Sequence, residues 1–122
     1  TLASALHLIA GSSVAIELHC NAATSIGARG VEVVSSEANA PLARKLAKAI
    51  ADTLGSRVRG DGGWIDQAQT ARGRIGFVAR GGLVVEVFFL SNPDELKLYL
   101  KKSGDVAKVI ANTIAQHLKE AP

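Results

Sequence analysis

The sequence predicts an α/β fold: an open, largely parallel, twisted sheet flanked by helices. Three observations predict it. Short β-branched runs alternate with amphipathic helical patterns. The helical patterns carry cap and stop residues at their ends. Residues 83–90 read Leu-Val-Val-Glu-Val-Phe-Phe-Leu, an apolar run expected of a buried strand.

In chain order, residues 2–10 read as a short helix, or the tail of one, broken by Gly11-Ser12-Ser13. Residues 14–19 form the first predicted strand, with Val14, Ile16 and Leu18 on one face and Ala15, Glu17 and His19 on the other. A polar loop through Gly27 and Gly30 leads to a second strand over 31–35. Asn39-Ala40-Pro41 is a helix start, a cap residue with a proline in the first turn. Leu42, Leu46, Ile50 and Leu54 give that helix its apolar stripe, and Gly55 ends it. Gly60-Asp61-Gly62-Gly63 reads as a flexible loop, and residues 64–73 show no clear period. Residues 75–79 fit either a short strand or a helical turn. After the 83–90 strand, Asn92-Pro93-Asp94-Glu95 has the pattern of a capping box. Ser103 is the predicted cap of a separate last helix with Val106, Val109, Ile110, Ile114 and Leu118 on one face.

A length of 122 residues allows one domain, and 48% hydrophobic residues can fill its core. No apolar stretch is long enough to span a bilayer. The apolar start lacks a basic segment ahead of it, which favours a helix of the fold over a signal peptide. The net charge of +3 is dispersed and aromatics make up only 4%, which argues against nucleic acid as a partner. Cys20 is the single cysteine, so the chain holds neither an intrachain disulfide nor a Cys-rich zinc knuckle. Cys20 itself reads as a buried small hydrophobe. His7 fits a core or surface role, and His117 a solvated one.

Glu86 is the leading site candidate. A carboxylate inside an apolar strand is costly to ionise without a partner, a metal or a chemical task. His19 ends its own strand, where an imidazole serves as metal ligand or general base. Both strands can meet at the carboxyl end of the sheet, where open α/β folds form their sites.

The segment Ile16-Glu17-Leu18-His19-Cys20-Asn21-Ala22 resembles the strand of zinc-dependent N-acetylmuramoyl-L-alanine amidases that carries a metal-binding histidine before Asn-Ala. Gly30-Val31-Glu32-Val33 and Leu42-Ala43-Arg44-Lys45-Leu46-Ala47 resemble the strand and helix that follow. The block from Leu83 to Glu95 is similar to the strand bearing the catalytic glutamate and the helix start after it. The resemblance implies hydrolysis of the amide joining N-acetylmuramic acid to L-alanine in peptidoglycan. It implies Zn2+ held by two histidines and a glutamate, with His19 as the last ligand and Glu86 as the general base. It also implies a monomer acting on the cell wall, secreted, periplasmic or phage-encoded as an endolysin.

The chain departs from that pattern at two points. The family's other two metal ligands lie upstream, one in a Gly-His-Gly-rich loop, and no such loop is present. Residues 1–122 are therefore expected to be a single amidase-like domain that is N-terminally incomplete. The second departure is Glu17, where the family has a small hydroxyl residue. Strand alternation puts Glu17 on the His19 face, roughly 7 Å along. Three readings stand for it: a partner orienting the imidazole, a substitute ligand, or an ion pair with Arg74 or Arg80. Glu32 either orients His19 or the substrate, or makes a sheet ion pair. Asn21 shapes the turn after its strand or touches substrate. Trp64 and Arg72 either line a glycan groove or, for Trp64, cover the sheet edge. The alternative from another class is a catalytically inactive, metal-free peptidoglycan-binding or interaction module on the same fold.

Overall fold

The computed structural model describes residues 1–71 and 73–121. Its sheet has four strands: β1 (Ile16–Asn21), β2 (Glu32–Ser35), β3 (Trp64–Asp66) and β4 (Leu83–Phe89). The helices are α1 (Leu2–His7), α2 (Ala40–Leu54), α3 (Gly76–Ala79) and α4 (Pro93–Glu120). The strand order is β1-β4-β2-β3. The β1–β4 and β2–β3 pairs are parallel, and the central β2–β4 pair is antiparallel. The largely parallel sheet is thus two parallel pairs back to back. Mixed pairing of this kind is common in α/β sheets.

Strand alternation separates two cores. Leu83, Val85 and Val87 of β4 and Val33 of β2 pack with α2 and α4 through Leu46, Ile50, Val106 and Ile110. Val84 and Val34 point the other way and meet Val78 of α3 in a smaller cluster. α2 begins as expected, with Pro41 in its first turn and Gly55 closing it at φ 68°. Asn39 makes no side-chain cap bond there; its Nδ2 donates to Gly81 O at 3.0 Å instead. Residues 75–79 resolve as a helical turn, and part of the aperiodic 64–73 stretch is the edge strand β3.

Two expectations need correction. Ser103 caps nothing: α4 runs unbroken for 28 residues. Ser103 and Gly104 sit on its exposed side, and the space beside Gly104 is open. The cost of a mid-helix glycine, about 1 kcal/mol, is offset by one apolar stripe that continues from Tyr99 through Val106 to Ile114. The Gly60–Gly63 loop is an anchored turn. Asp61 and Trp64 exchange backbone hydrogen bonds at 3.0 and 3.1 Å, and Arg44 Nη2 donates to Asp61 Oδ2 at 2.6 Å.

The capping box is half present. Asn92 Oδ1 accepts from Asp94 N and Glu95 N at 3.0 and 3.2 Å. The Glu95 carboxylate, 5% exposed, accepts from Gly30 N, Ser56 Oγ and Phe89 N at 2.9, 2.6 and 2.7 Å. One buried carboxylate thus ties the loop before β2, the end of α2, the end of β4 and the start of α4.

Candidate functional site

β4 is the central carrier of the site. Its β-branched and aromatic residues fit a pleated buried surface, and every β4 residue except Glu86 is buried. Glu86 stands on the face away from α2 and α4. In the register, His19 of β1 pairs with Glu86, and Glu32 of β2 pairs with it from the other side. Directly paired residues project from the same face at about 5 Å spacing. The row His19–Glu86–Glu32 therefore crosses three strands. The register slips after His19, so that Asn21 pairs with Phe89. Such a bulge inserts a residue and re-aims side chains next to it.

The neighbours of this row are specific. His19 Nε2 donates to Glu17 Oε1 at 2.5 Å, with the two side chains 34% and 43% exposed. Glu17 therefore pairs with the imidazole, and the reading with Arg74 or Arg80 is not the one adopted. Asn21 Nδ2 donates to Glu32 Oε1, and Asn21 Oδ1 accepts from Ala22 N at 2.9 Å. Arg59 Nε lies 3.9 Å from Glu32 Oε1. A pocket of about 370 Å³ opens here, lined by Asn21, Glu32, Glu86, Gln69, Thr70 and Ile75 among others. A larger groove of about 470 Å³ between α2 and α4 is lined by Lys45, Asp52 and His117 and lies apart from this row.

Several candidates fall elsewhere. Trp64 packs on the helix-side core, donates its Nε1 to Ser35 O at 3.4 Å and lies 5.2 Å from the Arg44 guanidinium. It covers the sheet edge. Arg72 lies outside the described residues. Cys20 is exposed, not buried. It shares the helix-side face with Leu18, itself 56% exposed; on this edge strand Ile16 is the residue that packs against the core. His7 is exposed, and His117 is half-buried with Nδ1 3.2 Å from Lys45 Nζ. Sequence reasoning missed Gln69 and Thr70, which fell in the aperiodic stretch. It also missed Arg57 and Arg59, for which the alternation Arg57-Val58-Arg59 was the available signal.

A metal site can be tested against these donors. Among the described residues no group of three or more His, Cys, Asp or Glu side chains converges as a metal cage. His19 fits one ligand position, and its Nε2 is held by Glu17, which a metal at that nitrogen would displace.

An open α/β sheet with histidine, glutamate and glutamate in register beside a pocket defines the class, an α/β domain with a polar site on one sheet face. The chain belongs to the N-acetylmuramoyl-L-alanine amidase family, whose model matches residues 3–116. A Neisseria meningitidis protein described as an N-acetylmuramoyl-L-alanine amidase is 37% identical and superposes with a TM-score of 0.90, over 98% of this chain and 66% of that one. An N-acetylmuramoyl-L-alanine amidase of Clostridium difficile 630 gives 0.79 at 19% identity, over 100% and 67%. The catalytic domain of the amidase CwlV from Bacillus (Paenibacillus) polymyxa var. colistinus gives 0.72 at 23%, over 98% and 63%. The last two likenesses concern the fold alone. The chain spans 66% and 63% of the first and third of these structures. No curated protein matches it. No helix among the described residues is long and apolar enough to cross a membrane.

Proposed function

We propose that this chain is the greater part of the catalytic domain of a zinc-dependent amidase that cleaves the amide between N-acetylmuramic acid and L-alanine in peptidoglycan. The observation that supports it best is the row His19–Glu86–Glu32 beside a pocket on the open face of the sheet. In this reading Glu86 is the general base. Its carboxylate takes a proton from the attacking water and returns it to the departing amine nitrogen. The strand backbone fixes its position, and burial on either side along β4 keeps it from wandering. His19 is a metal ligand, with the remaining donors outside the described residues. Zinc held there would acidify a water and polarise the scissile carbonyl. Glu17 orients the imidazole, and Asn21 holds the Glu32 carboxylate at the pocket wall. The substrate places the enzyme outside the cytoplasm, whether secreted by its host or released as a phage endolysin.

The test is Glu86→Gln in the full encoded protein, with peptidoglycan lysis and zinc content measured together. The expected outcome is full zinc occupancy with hydrolysis reduced at least 100-fold. Retained hydrolysis refutes the general-base role. His19→Ala is expected to lose the metal, and unchanged zinc stoichiometry refutes its assignment as a ligand.

The incomplete donor set among the described residues favours one second reading, a metal-free peptidoglycan-binding module. Wall binding without zinc and without lysis distinguishes it.

A further inference from the structure

Residues 57–59 form a short strand-like segment beside the start of β2. Val31 N donates to Arg57 O at 2.7 Å and Arg59 N to Val31 O at 2.9 Å, with Val58 bridging Val31 in parallel. Alternation then turns Arg57 and Arg59 to one side and Val58 to the other. Gly30 makes room for both stems. A Cβ at Gly30 would stand 2.8 Å from Arg59 Cγ and 3.2 Å from Arg57 Cγ.

Two guanidiniums are thus held side by side, although like charges repel. Both lean on one acceptor: Arg57 Nε and Arg59 Nη1 donate to Arg29 O at 3.3 and 3.2 Å. An arginine has five N–H donors, so most remain available. Arg57 has no ion pair among the described residues. Arg59 lies 4.7 Å from the Phe89 ring centroid. Its Nε is buried without a hydrogen-bond acceptor among the described residues, Glu32 Oε1 being too far at 3.9 Å. A pocket of about 300 Å³ opens over this pair. It shares Glu32 and Ile65 with the Glu86 pocket, so the two adjoin.

We propose that Arg57 and Arg59 form a carboxylate-binding subsite that holds the peptide portion of the substrate. The inference rests on the amidase reading and deepens it. Planar forks of this kind bind carboxylates with directional, charge-assisted hydrogen bonds. One strand spacing separates Glu86 from Glu32, and Arg59 lies just beyond. The subsite is therefore on the order of 10 Å from the Glu86 carboxyl. An extended peptide covers about 3.3 Å per residue. A carboxylate two or three residues beyond the scissile amide reaches it. Glu86 at the other end disfavours that carboxylate, which sets the direction in which the peptide lies, while Glu32 stands between the two pockets beside Arg59.

The test uses calorimetric titration of the full encoded protein with two soluble probes. One is an N-acetylmuramoyl-L-alanyl tripeptide with free carboxylates, and the other is the same compound with every carboxylate amidated. The acid is expected to bind about tenfold more tightly than the amide. Arg57→Gln is expected to erase that preference while leaving the melting temperature and the affinity for the amide unchanged. Arg59→Gln is expected to do the same at some cost in stability, since it also leaves Phe89. Equal binding of acid and amide by the unaltered protein overturns the subsite. So does a preference that survives Arg57→Gln, or failure of both probes to bind. Hydrolysis of the probes is scored separately. A preference retained without any hydrolysis upholds the subsite and refutes the amidase reading.

Discussion

The two faces of the sheet are built to different rules. The face under α2 and α4 is closed and apolar, with Leu46, Ile50 and Val85 fully buried. Among the described residues, α3 and the small cluster around Val34, Val78 and Val84 cover part of the opposite face, and the rest, beside Gln69 and Thr70, carries His19, Glu86 and Glu32. The same strand serves both faces: Val85 and Val87 point into the core while Glu86, between them, points out of it. One face holds the backbone still, and the other can present costly polar groups because the first has supplied the stability.

That division can be broken from either side. Leu46→Ala on the closed face should cost about 2–5 kcal/mol, read as a lower midpoint in chemical denaturation. A loss under 1 kcal/mol would mean that α2 contributes little to the fold. Glu95→Ala should cost about 3 kcal/mol, because it leaves three buried donors unmatched. Glu95→Gln should recover part of that, and equal losses for both variants would show that charge rather than hydrogen bonding sets its value. Glu86→Gln should leave the same midpoint within about 0.5 kcal/mol. A large shift there would make Glu86 structural and merge the two faces into one design. Glu17→Gln should leave stability unchanged within the same margin, and should alter the His19 ring resonances in NMR spectra. Unaltered resonances would mean that the Glu17–His19 contact does not persist in solution.

The smallest effect lies at the end of α4. Hydrogen bonds from Gln116 and Lys45, and the Lys45 charge, hold Glu120 below the usual carboxylate range. A depressed carboxylate stabilises the fold above its ordinary pKa and ceases to do so as pH falls through the folded value. Acidification should therefore loosen this helix end slightly, and Glu120→Gln should remove that pH dependence. Because the group is fully exposed, a change in the global melting temperature would contradict the assignment.

Much of the sheet was legible because its residues alternate or cap. The β4 run, the Asn39–Gly55 helix and the Asn92 cap follow from local chemistry, and so does the placing of Glu17 with His19 on one face. What local chemistry does not encode is which strands are neighbours. The antiparallel β2–β4 pairing, which brings Glu32 to Glu86, is a long-range choice. The edge strand β3 is three residues long, too short to show a period. Ser103-Gly104 has the chemistry of a helix boundary, and tertiary packing of one continuous stripe overrides it. Glu95 had the right spacing for a capping box, yet its carboxylate serves donors 65 and 39 residues away.

Those separations bear on how the chain reaches its final state. Phe89 N is six residues from Glu95, but Gly30 N and Ser56 Oγ reach it only after distant segments have converged, so two of its three hydrogen bonds reward complete assembly. Until then a carboxylate destined for burial stays in water, and the start of α4 lacks its anchor. The residue works as a late latch. It sharpens the transition between unfolded and folded chains, and it penalises any partly assembled form in which β2 or the end of α2 has come away.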